Sequence, residues 1–150
     1  MSGLADIGVR IVAAQDGLSG NGHALIHELD KRLERLAEQG ATDAIDLRGL
    51  PLSAADLQML EDFLGVGEIE ARIDALGLTR VYETAYAGIW RVTYYSEDGK
   101  VVADVLEVTR QPGIITTPPG DVADACGRLR EALGDLPPLP GRSTNNCEAS

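Results

Sequence analysis

Cysteine is scarce in this sequence, basic charge is outnumbered, and aromatic rings are few. The two cysteines, Cys126 and Cys147, form no CxxC pair. A disulfide framework needs more of them and a secreted setting, so free thiols are expected. No run of about 18 apolar residues occurs, which sets aside a membrane-spanning helix. The opening "MSGLADIGVRIVAAQDG" lacks the basic-then-apolar-then-small order of a signal peptide, and a cytoplasmic protein is expected. Against 13 Lys and Arg stand 24 Asp and Glu, a net charge of −11. The basic residues sit beside acids, as in "ELDKRLERLAEQ" and "GRLREAL", not in the clusters that nucleic acid demands. Nucleic acid and anionic membrane surfaces are therefore set aside as partners, whereas a partner with a basic segment suits the charge.

Catalytic and cofactor motifs are equally thin. "GVGEIE", Gly65 to Glu70, has the look of a nucleotide loop but follows a helical pattern and opens a strand, the reverse of a dinucleotide fingerprint. No GxxxxGK[ST] or GxSxG is present. His23 and His27 in "HALIH" share a helix face, yet no Glu lies between them and no third ligand is evident, so no metal is expected. Cys126 falls in an apolar stripe, where a thiol is inert. Neither a cofactor nor a catalytic residue is expected.

What is present is the material of one 150-residue α+β domain. "SGNGHALIHELDKRLERLAEQG" reads as a helix with Asn21 as N-cap, Ile26, Leu29, Leu33 and Leu36 on one face, and Gly40 as its stop. "ATDAIDLRGLP" gives a short strand. "PLSAADLQMLEDFLG" is a helix capped by Ser53, with Asp56 at the third position. From Glu68 the period changes from 3.6 to 2. "EIEARID", "LTRVYETAYA", "GIWRVTYYS" and "KVVADVLEVTR" are strands, the last two joined by an Asp98-Gly99 hairpin turn. "TTPPGDVADACGRLREALG" closes as a helix with Val122, Cys126, Leu129 and Leu133 at core spacing. The expected fold is a mainly antiparallel sheet of about four to five strands with helices packed on one face. Residues 1–19, with "IGVRIVAA" as a candidate edge strand, are read as loosely structured. Residues 20–134 are read as a single domain and 135–150 as a flexible tail.

Five of the six aromatic residues lie in "YETAYAGIWRVTYY", Tyr82 to Tyr95; Phe63 is the sixth. Strand alternation puts Trp90, Val92 and Tyr94 on one side and Ile89, Arg91, Thr93 and Tyr95 on the other. One aromatic row, that of Trp90, is expected to be core beneath the helices. The second row then faces water, a partner or another copy, with Tyr95 and Arg91 as an exposed patch of the residue types that dominate binding hot spots.

"GNGHALIHEL", "IDLRGLPLSAADLQMLEDFLGVGEIEARI" and "ETAYAGIWRVTYYSEDGKVVADVLEVTRQPGII", in this order, resemble the C-terminal conserved region of the HupH/HyaF hydrogenase expression proteins. The resemblance covers roughly residues 20–115. The most specific part is "LGVGEIEA", "ETAYAGIWRV" and "EVTRQP" at their present spacing. The motif maps onto Gly65, Gly67, Glu68, Glu83, Thr84, Gly88, Trp90, Arg91, Glu107 and Pro112.

The resemblance implies a non-catalytic, cytoplasmic accessory protein of nickel–iron uptake hydrogenase maturation. It would act as a chaperone or assembly factor for the iron–sulfur small subunit or for another maturation protein. Family members are about twice this length. The chain is therefore read as one short copy of the domain, and a homodimer restoring the longer arrangement is one expectation. The interaction patch is assigned to Glu83, Tyr86, Trp90, Arg91 and Tyr95. The competing expectation is an enzyme or small-ligand domain with a carboxylate pocket of Glu68, Glu83 and Glu107, their acidities perturbed.

Overall fold

The structure, a computed structural model, describes residues 17–141. The strand expected at "IGVRIVAA" and Cys147 lie outside them. The chain divides into two compact units, one ending at Ile115 and one beginning at Thr116.

In the first unit, α1 spans Asn21–Gln39 and stops at Gly40, whose left-handed backbone lets its N–H reach back to Leu36 O. Its N-cap is Gly20 and not Asn21. Asn21 is instead drawn into a tertiary bond, donating its amide to the Pro51 carbonyl at 2.8 Å. After β1 (Asp43–Asp46) and a 3-10 turn (Leu47–Gly49) comes α2, Ala54–Leu64. Its capping box is complete: the Asp56 N–H donates to Ser53 Oγ and the Ser53 N–H to Asp56 Oδ2. Ser19 donates a further hydroxyl and N–H to the same carboxylate. Asp56 is fully buried, and these bonds, that of the Ser19 hydroxyl foremost, lower its pKa to about 2.

Four more strands follow: β2 (Glu70–Asp74), β3 (Leu78–Glu83), β4 (Ile89–Tyr95) and β5 (Val101–Val108). They join β1 in one antiparallel sheet of order β1-β5-β4-β3-β2, the α+β architecture expected. The turn at Asp98 and Gly99 joins β4 to β5, with the Gly99 N–H donating to Ser96 O.

Residues paired across strands share a face. Ile45, Leu106, Arg91 and Tyr82 are therefore on one side, and Val81, Val92 and Val105 on the other. The main core lies on the first side, where Leu25, Leu29 and Leu36 of α1 and Leu60 and Leu64 of α2 meet Ile45, Ile89, Leu106 and Val108. Trp90 is buried, but on the opposite side, in a smaller cluster with Val81 and Val92. This corrects the expectation that the Trp90 row is core beneath the helices. Alternation shows that two rows oppose each other but not which row the helices cover. The aliphatic row of Ile89, Leu106 and Val108 matches the leucines of α1 and α2, while Trp90 also needs an acceptor, which it finds in the Thr109 carbonyl at 3.0 Å.

The second unit contains α3, Pro119–Gly134, in which no residue is buried. Val122, Leu129 and Leu133 are exposed, and Cys126 is a free, exposed thiol, not the core residue expected from its spacing. Helical periodicity specifies a face able to pack but not what it packs against.

Candidate functional site

Tyr86 is placed by the turn between β3 and β4. The Thr84 hydroxyl accepts from the Tyr86 N–H at 3.2 Å and donates to the Tyr86 carbonyl at 3.1 Å, while Glu83 Oε1 accepts from the Gly88 N–H. The Ala85 N–H donates to Leu64 O at 2.8 Å, which fastens the turn to the last turn of α2. Phe63, one residue before that carbonyl, therefore meets the Tyr86 ring in a stacked arrangement, centroids 5.6 Å apart and planes at 12°. Close backbone approach on the other side of the turn depends on Gly67, whose N–H donates to Glu83 O at 2.7 Å. A Cβ there would stand 2.5 Å from the Thr84 carbonyl.

The aromatic pair forms one lip of an apolar groove of about 280 Å³. Buried Leu29, Leu64 and Ile89 and half-buried Ile26 and Leu33 of α1 complete its apolar lining. His27 and Asp30 supply its polar margin. Phe63 and Tyr86 are 49% and 43% exposed, so both rings present faces to solvent while sealing the core behind them.

Arg91 does different work. It lies on the helix side of β4, with Nε and Nη2 donating to Asp104 of β5 at 3.0 and 2.8 Å and Nη1 bonding Glu61 of α2 at 2.6 Å. The Thr93 hydroxyl donates to the same buried Asp104 at 3.2 Å. Hydrogen bonding to Asp104 holds the guanidinium pKa above its ordinary value. Arg91 thus clamps the sheet to α2 at the border of the leucine core.

The five residues assigned to a single patch are therefore distributed over three places. Arg91 and Tyr95 belong to the helix side, Arg91 nearly enclosed and Tyr95 half-buried near the free end of the sheet. Trp90 and Glu83 are paired neighbours on the opposite side. Only Tyr86 borders the groove.

Of the alternative carboxylate trio, Glu83 and Glu107 flank Trp90 from β3 and β5, and neither they nor Glu68 line the groove. Burial raises the pKa of Glu107. His23 and His27 are in ring contact at 4.8 Å. Among the described residues, no group of three or more metal-ligating side chains converges, and no helix is long and apolar enough to cross a membrane.

Sequence comparison decides the family. The model described as "HupH hydrogenase expression protein, C-terminal conserved region" matches residues 20–136. The chain belongs to this family. Among its HupH-family relatives, the hydrogenase expression/formation protein HupH of Rhodobacter capsulatus is 36% identical over 114 residues, 75% of this chain and 41% of that protein. The hydrogenase-1 operon protein HyaF of Escherichia coli is 28% identical over 116 residues, 77% of this chain and 40% of its own. The chain thus spans about two-fifths of the length of these curated relatives. A solved structure, the hydrogenase expression protein HupH from Thiobacillus denitrificans, superposes with a TM-score of 0.76 at 34% identity. That match covers 79% of this chain and 99% of the other.

One feature escapes a reading of the sequence alone. Phe63 is the aromatic residue outside the main run, and its pairing with Tyr86 depends on the Ala85–Leu64 bond between distant segments. The Arg91–Asp104 pair did leave a trace. Both charges stand at the same strand parity as core residues, Arg91 with Ile89 and Asp104 with Leu106 and Val108, where an inward charge demands a partner.

Proposed function

We propose that this HupH-family chain is a non-catalytic accessory protein of nickel–iron hydrogenase maturation, working in the cytoplasm as a chaperone or assembly factor. Its partner is a hydrogenase subunit, the iron–sulfur small subunit first among the candidates, or another maturation protein. The observation that carries the binding role is the open apolar groove behind the stacked Phe63 and Tyr86. An apolar concavity with half-exposed aromatic rings at its mouth is the kind of surface in which interface energy concentrates. The relatives' names, hydrogenase expression/formation protein and hydrogenase-1 operon protein, support the pathway. Of the five patch residues, Tyr86 is the one assigned to partner contact, with Arg91 fastening the sheet to α2.

The test is capture of partners by the tagged chain from cells expressing a hydrogenase operon, with Tyr86→Ala and Phe63→Ala in parallel. The expected result is recovery of an immature hydrogenase subunit or maturation protein by the parent chain and its loss with both variants, their circular dichroism unchanged. Recovery of no hydrogenase-related protein would overturn the pathway assignment. Undiminished capture by both variants would move the contact away from the groove.

A further inference from the structure

The groove is small, and of Asp, Glu, Lys and Arg only Asp30 lines it. At about 280 Å³ it lies below the roughly 300–1,000 Å³ of typical small-molecule sites. A cavity of about 150 Å³ already holds a benzene-sized group. The space therefore matches one large apolar side chain or two smaller ones. Asp30 stands at the edge, and Glu34, one turn on, shares its exposed helix face.

Every charged residue of α2 is acidic: Asp56, Glu61 and Asp62. Asp56 is consumed by the helix cap and Glu61 by Arg91. Asp62 accepts only from the neutral Gln58 amide. Among the described residues, no ion pair reaches Asp30, Glu34 or Asp62. Of the three basic residues of α1, Arg32 and Arg35 are drawn away to Asp43 of β1, and Lys31, exposed beside Asp30, forms no ion pair with it or with Glu34. The groove is thus an apolar slot beside carboxylates that are held in no ion pair.

We infer that the groove binds a peptide segment of a partner protein that inserts an apolar side chain between α1 and the Phe63–Tyr86 lip and carries Lys or Arg beside it, opposite Asp30 and Glu34. The apolar insertion supplies most of the affinity, and the basic flank selects the segment and speeds its arrival. This rests on the reading of the chain as a partner-binding accessory protein and adds the chemistry of what is bound.

Two short synthetic peptides with the same Leu- and Phe-bearing apolar face, one flanked by lysines and one by glutamates, test it by titration followed in amide NMR spectra. The lysine peptide is expected to bind at least about tenfold more tightly at low salt and to lose that advantage as salt rises. Its shifts should centre on Ile26, Leu33, Phe63 and Tyr86. The double variant Asp30→Lys with Glu34→Lys, both exposed, should fold normally and prefer the glutamate peptide. Equal binding of the two peptides, binding of neither, or shifts centred outside the groove would overturn the inference. Lysine-peptide selectivity together with failure to capture any hydrogenase protein would leave the inference standing and overturn only the hydrogenase pathway.

Discussion

Phe63 at the end of α2 stacks on Tyr86 in the β3–β4 turn, the two rings 12° from parallel. The pair joins a helix end to a strand turn and forms the lip of the groove. Such a pair contributes about 1 kcal/mol beyond simple burial, and half-exposed rings sit at the lower end of that range. Tyr86→Ala is therefore expected to cost little stability in urea unfolding while abolishing partner capture. A collapse of stability comparable to a core deletion would show that the ring is structural first.

Arg91 is predicted to behave in the opposite way. Removing it leaves Asp104 buried beside Thr93 without its cation, and breaking an enclosed pair from one side costs about 3 kcal/mol. Arg91→Met should thus lower the unfolding midpoint strongly. The double variant Arg91→Met with Asp104→Leu should recover much of the loss, because no buried charge is left alone; Glu61, the other partner of Arg91, is half exposed and returns to water. Failure of the double variant to recover anything would show that the pair is not the source of the cost.

Acid stability should carry the signature of Asp56. Its pKa is about 2 in the folded chain against an ordinary 3.8. As pH falls, the unfolded chain takes up this proton first. The stabilisation is therefore complete above about pH 4 and is lost as pH falls through about 2. Asp56→Asn should lower stability at neutral pH and remove this part of the acid limb, as read from urea midpoints across that range. An unchanged limb would assign the acid sensitivity to other groups.

Glu107 runs the other way. Burial raises its pKa, so the folded chain holds the proton longer, and ionisation costs stability as pH rises through the folded value. Glu107→Gln is expected to raise the midpoint at neutral pH and to match the parent chain at pH values below the unfolded pKa. Stabilisation that persists undiminished in acid would point to packing rather than charge.

Gly67 should tolerate no side chain. A Cβ 2.5 Å from the Thr84 carbonyl must displace either the loop or the end of β3, and overpacking of this kind costs about 1–3 kcal/mol. Gly67→Ala is expected to destabilise the fold and to increase amide exchange at Ala85, whose bond to Leu64 holds Tyr86 in place. Normal exchange there would separate the glycine from the lip.

Local patterns determined most of the secondary structure. Ser53 with Asp56 is a complete N-terminal signal, Gly40 a stop, and Asp98-Gly99 a turn, because each acts on the backbone within a few residues of itself. The alternation from Glu68 onward likewise made the strands and their antiparallel pairing legible. Tertiary structure decided everything that depends on which surfaces meet. It put Ile89 rather than Trp90 beneath the helices, turned Arg91 from an expected surface contact into a clamp on Asp104, and left Cys126 exposed. It also brought Phe63 to Tyr86 across 23 positions of chain. Periodicity tells a residue which neighbours share its face. Only the packing of α1 and α2 on one side of the sheet gives that face an inside and an outside.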